Sequence, residues 1–153
     1  MLNQKILIQE IRKIADQESP QFERFPKTSI EVAERWSKAI DVYAKAIVPQ
    51  STSSAKARTE MIAIMSTISP TVDGLTILSQ AITTYAISLA IGMGPTFVAV
   101  PPTIPLALAS VAPVGLSGGS SDQCCTLLGE IIDKWFRLGI AVNTSTGATI
   151  VWN

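Results

Sequence analysis

The chain has no histidine in its 153 residues. That absence removes the most versatile metal ligand and the side chain whose unperturbed titration lies nearest neutral pH, and with them most acid–base and serine–histidine constellations. There are only two cysteines, Cys124 and Cys125, and they are adjacent. Neighbouring thiols cannot staple distant segments, and one pair without other thiol or imidazole ligands falls short of a structural zinc site. They read as reduced thiols at a helix start. Charge is also scarce, at 16% of residues, against roughly 25% in ordinary soluble domains. Twelve basic residues balance 12 acidic ones, so no net field draws in nucleic acid, an anionic surface or an acidic substrate. No nucleic-acid partner, metal or cofactor is expected.

What charge there is sits early. Residues 1–60 hold ten lysines and arginines and eight acids, leaving two basic and four acidic residues for 61–153. Between Asp73 and Asp122 run 48 residues without formal charge. Within that run, residues 74–93 are long enough to cross a bilayer, which makes a small membrane-associated protein the alternative reading. Ser79, Gln80, Thr83, Thr84, Tyr85 and Ser88 interrupt the segment, and neither flank carries a basic cluster of the kind that sets orientation. Leu78, Ile82, Tyr85 and Leu89 instead form a stripe suited to a helix in a protein core.

The chain reads as a single, mainly α domain: a bundle of about five helices, a long apolar Pro/Gly-rich arm and a short C-terminal β-like hairpin or tail. Leu7, Ile11 and Ile14 mark an amphipathic first helix, and Pro20 and Pro26 make the rest of residues 1–27 a loop. A helical core is expected over 28–91. Thr28 and Glu31 have the spacing of a capping box, Val32, Trp36, Ile40, Tyr43 and Ile47 recur on one face, and Pro49 closes the helix. Ser51–Ser54 offer caps for a third helix carrying Ala57, Met61, Ile64, Met65 and Ile68, expected to stop at Pro70. Thr71 or Asp73 caps a fourth helix to about Ile91, where Gly92 and Gly94 permit a left-handed close.

Residues 92–121 combine five prolines and a glycine cluster with continued apolarity. Proline holds such a stretch extended, while its aliphatic side chains are costly to leave in water. Two arrangements meet both constraints. Either an apolar arm lies along its own bundle or a neighbouring subunit, or an internal loop packs with a short helix near Leu106 to Ser110. The arm reading makes Phe97, Val98, Val100, Pro101, Pro102, Ile104 and Leu106, with Ile150 and Trp152 of the tail, the candidate interface. Ser120 or Ser121 caps a last helix over 122–139, with Leu127, Ile131, Trp135 and Leu138 facing inward and Gly139 at its end. Over 140–153, apolar residues flank Asn143–Gly147, which suits a hairpin or an extended tail.

No catalytic constellation emerges. Glu130 and Asp133 lie one turn apart, but Lys134 and Arg137 are within the same reach, so they read as surface ion pairs. Gly118–Ser121 precedes a helix but lacks the GK[ST] ending of a phosphate loop, and reads as a loop and cap. A non-enzymatic protein is expected.

The landmarks Trp36–Tyr43, Ile47–Pro49, Tyr85 to Met93, Phe97 before Pro101–Pro102, the 115–119 glycines, Ile132–Phe136 and Gly147 to Asn153 appear in an order that resembles small virion structural proteins of tailed bacteriophages. The resemblance spans about residues 30–153. It implies a non-enzymatic component of the particle, in the tail, baseplate, neck or head, assembled in the host cytoplasm. Its partners would be other virion proteins or further copies of itself.

Overall fold

The computed structural model describes residues 1–68 and 73–153. Six helices occur in chain order: α1 (Gln4–Ala15), α2 (Ser29–Ala44), α3 (Ser54–Met65), α4 (Gly74–Ile91), α5 (Ala112–Leu116) and α6 (Ser121–Phe136). A 3-10 turn, Leu108–Val111, leads into α5, and three strands follow the same order, β1 (Phe97–Val100), β2 (Ile140–Asn143) and β3 (Thr149–Val151). Helix, the 3-10 turn included, accounts for 56% of the described residues. Pro70 and Thr71, the expected stop of the third helix and one expected cap of the fourth, lie outside the described residues.

Apolar periodicity dictates the bundle. Leu7, Ile11 and Ile14 of α1 are buried, as are Ala57, Met61 and Met65 of α3 and Leu78, Ile82, Tyr85 and Leu89 of α4. Each large aliphatic side chain taken from water contributes about 1.5–3 kcal/mol. Helix α1 packs on α2 and α6, α2 on α3, and α3 on α4. Helix α4 is long and apolar enough to cross a membrane by length and composition alone. In the fold, its stripe faces the other helices.

Several local expectations need correction. Thr28 caps α2 by accepting the Glu31 amide at 3.1 Å, but Glu31 turns its carboxylate to the Lys27 amide at 2.8 Å and to Arg24 and Arg35. The reciprocal box forms instead on α6, where Ser120 and Gln123 satisfy each other's amides. Helix α2 stops at Ala44, ahead of Pro49, and Ile47 is buried from the connecting turn. Gly92 closes α4 in right-handed geometry, with φ −74°. Along α6 the buried face is Cys125, Leu128, Ile132, Trp135 and Phe136, one step round from the expected stripe, and Leu138 is exposed.

The apolar arm over 92–121 is the largest departure. The chain reverses after Gly94 and enters a three-stranded antiparallel sheet of order β1-β2-β3. It then returns across the bundle, burying Leu106, Leu108 and Val111. Backbone carbonyls tie this return down: Ile104 O accepts the Trp135 indole N–H at 2.6 Å, and Leu106 O accepts the Ser79 hydroxyl at 2.5 Å. Leu106, Leu108 and Val111 thus anchor the stretch to its own bundle while Val98, Ile104 and Leu116 stay exposed, and a 3-10 turn over Leu108–Val111 lies close to where one of the two readings predicts a short helix. The C-terminal hairpin forms, and Gly147 adopts the positive φ of +69° that its turn requires.

Two buried tyrosines join the helices through carboxylates. Tyr43 of α2 donates to Asp133 of α6 at 2.7 Å, and Arg137 grips the same carboxylate at 2.8 Å. Tyr85 of α4 donates to Asp41 of α2 at 2.9 Å, and Lys45 pairs with Asp41 at 2.7 Å. Both expected ion pairs form, Glu130 with Lys134 at 3.9 Å and Asp133 with Arg137 at 2.8 Å, but only the first lies at the surface: Asp133 is a buried acceptor.

Candidate assembly surface

The sheet positions the residues that carry the interface expectation. Val98 pairs with Val142, which pairs with Thr149; Val100 pairs with Ile140, which pairs with Val151. Directly opposed residues share a face, so these six form two rows on one side. That side is open: Val98 is 62% exposed, Val151 54%, Val100 39% and Ile140 36%. The other side carries Phe97, Ala99, Ala141 and Ile150 towards the core. Alternation of the strand side chains separates the two faces.

The expected interface residues therefore divide. Val98 and Val100 lie on the open face, and the side chain of Ile104, 60% exposed, lies on the segment that follows. Phe97 and Ile150 are half-buried on the inner face, and Pro101 is half-buried beyond β1. Pro102, Leu106 and Trp152 are corrections, because all three side chains are buried within the chain. Trp152 is wholly enclosed, packed on Phe136 and against Gly139.

Ile140, Val142 and Val151 complete the open face beyond the residues the sequence pattern marks as interface. Their alternation with Ala141 and Ile150 was visible, but which parity faces water depends on a β1 partner some 40 residues away in sequence.

Electrostatically the surface is bare. No strand contains a charged side chain, and none occurs from Leu138 to Asn153. Beside the sheet, a shallow cleft of about 440 Å3 lies between α4 and the returning segment, lined by Gln80, Thr83, Thr84, Pro102 and Ile104 among others. It presents neutral hydroxyls and an amide next to aliphatic carbons, with no ionisable group to act as acid, base or nucleophile.

Elsewhere the titratable groups are held for structure. Burial, and then the Asp133 carboxylate, push the Tyr43 phenol far above its ordinary value, and burial and Asp41 do the same to Tyr85. Burial first, with Asp16 adding, pushes the Cys125 thiol up to about 12. Such a thiol is a poor nucleophile. Among the described residues, no group of three or more cysteine, aspartate or glutamate side chains is placed to hold a metal ion.

Comparison with protein-family models, with curated proteins and with solved structures finds no match to this chain.

Proposed function

We propose that this protein is a non-enzymatic structural component of a tailed-bacteriophage virion, in the tail, baseplate or neck, that assembles through protein–protein contacts. The observation that carries the assembly part is the open sheet face. Val98, Val100, Ile140 and Val151 stand together in solvent on a rigid antiparallel scaffold, with no charge among them. Clustered, ordered, uncharged aliphatic surface of this kind marks an interaction site. The virion part rests on the resemblance of residues 30–153 described above. The membrane alternative for residues 74–93 draws less support, since Tyr85, midway along α4, is engaged with the Asp41–Lys45 pair.

Mass spectrometry of purified particles of the phage encoding the chain tests the virion assignment, and absence of the chain overturns it. Sedimentation of the isolated chain tests the surface. Val98→Lys with Val100→Lys is expected to abolish higher assemblies while leaving the circular dichroism spectrum intact. Assemblies larger than a dimer that survive both lysines overturn the role given to that face.

A further inference from the structure

The sheet has two edges, and they are not equivalent. Strand β1 is bounded by Pro95 on one side and Pro101 and Pro102 on the other, and it lies against α4. Proline beside an edge strand is a standard guard, because it denies a visiting strand the donors needed to extend the ladder. Strand β3 has no such guard. Thr149–Val151 and its flanks contain neither proline nor charge, and β2 is its principal packing neighbour. Beyond the β2 ladder, the backbone bonds at this end run from Trp152 N–H to Gly139 O and from Val48 N–H to Asn153 O, both 2.9 Å. Among the described residues, neither occupies the outward groups of 149–151.

We infer that β3 is the seam along which a second copy of this chain pairs, antiparallel and about a two-fold axis through Ile150. The register is self-complementary. Centring on Ile150 places Thr149 of each copy opposite Val151 of the other, and both side chains belong to the open face. Each crossing is thus a pair of β-branched side chains, which suits adjacent strands.

Charge selects the occupant. With no charged side chain from Leu138 to Asn153, two identical copies meet without side-chain repulsion, whereas an acidic or basic partner segment finds no counter-charge. Strand addition draws its affinity from main-chain hydrogen bonds rather than large buried area. Three residues supply few of them, so the pairing is weak and depends on concentration. It yields a six-stranded sheet on which the two aliphatic faces become one continuous surface. The inference deepens the assembly reading, from which it takes its purpose but not its geometry.

The test is analytical ultracentrifugation of the full chain from micromolar to millimolar concentration. Wild type is expected to show a reversible monomer–dimer equilibrium. Thr149→Lys with Val151→Lys sets two like-charged pairs across the seam and is expected to weaken the dimer about tenfold or more. Thr149→Glu with Val151→Lys sets opposite charges across it and is expected to restore the dimer, with an affinity that falls as salt rises. Both pairs of side chains are exposed, and circular dichroism verifies that each variant is folded.

A wild-type chain that stays monomeric throughout overturns the inference, as do two double variants that dimerise equally. The Val98→Lys, Val100→Lys protein carries its charges on β1, and it is expected to keep the dimer while losing higher assemblies. A monomeric chain that is nonetheless present in particles sinks self-pairing and spares the virion reading; a dimer absent from particles does the reverse.

Discussion

Tyr43 and Asp133 are 90 residues apart in sequence, yet the phenol of one donates to the carboxylate of the other across 2.7 Å in the interior. The bond satisfies two groups that would each be costly to bury alone, and Arg137 supplies the positive charge that the carboxylate needs there. Tyr43→Phe leaves Arg137 in place and is expected to cost about 1.5–3 kcal/mol, the range for a hydrogen bond to a charged group. Asp133→Ala is expected to cost more, since it strands both partners. Urea unfolding of the two variants gives the comparison, and equal losses contradict it.

The chain has only two tyrosines, and both are buried against aspartate. Folding holds both phenols protonated beyond their ordinary value of 10.0. The sign follows from linkage: this contribution is complete below pH 10 and declines as pH rises above it, where the unfolded chain gives up protons that the folded one keeps. An alkaline titration followed at the tyrosinate absorption band is expected to show no signal near pH 10 and then a cooperative rise coincident with unfolding. A smooth titration centred on 10 contradicts the buried pairs.

Thiol chemistry offers an independent check. Cys125 is buried, with its pKa pushed up to about 12, while its neighbour Cys124 is only partly covered. Alkylation at pH 8 is expected to leave Cys125 unmodified in the native protein and to reach it after denaturation. Peptide mapping distinguishes the two sites, and rapid native labelling of Cys125 contradicts its placement.

Gly139 is required by its neighbour rather than by its backbone. A Cβ at that position would fall within the ring of Trp152, whose enclosure also depends on Phe136. Gly139→Ala is expected to destabilise by about 1–3 kcal/mol through overpacking. Trp152→Ala, which empties the site, is expected to cost about 3–5 kcal/mol. Thermal melts measure both, and a neutral Gly139→Ala contradicts the close approach.

Helices were legible wherever a clean apolar stripe ran along them, as with Leu7, Ile11 and Ile14 or Leu78, Ile82, Tyr85 and Leu89. Helix α6 turns one step round from the stripe its leucines and isoleucines predict, because its inner face takes in Cys125, Gly129 and Asp133, and the last is not legible as inward without Tyr43 and Arg137 to satisfy it. The prolines around β1 correctly indicated extended chain. They could not indicate that this chain would pair with Ile140–Asn143, because nothing local encodes a partner that far away. The candidate surface was legible by type, as uncharged and aliphatic. It was not legible by side: Trp152, Pro102 and Leu106 turn inward while Ile140 and Val151, no more polar in sequence, face solvent.

Helix α2 holds Asp41 and Tyr43 two positions apart, the first engaged by α4 and the second reaching α6. Loosening that helix forfeits both links at once. Backbone amides around Ile40 to Ala44 should therefore exchange with deuterium only through global opening, and should be the last in the molecule to do so.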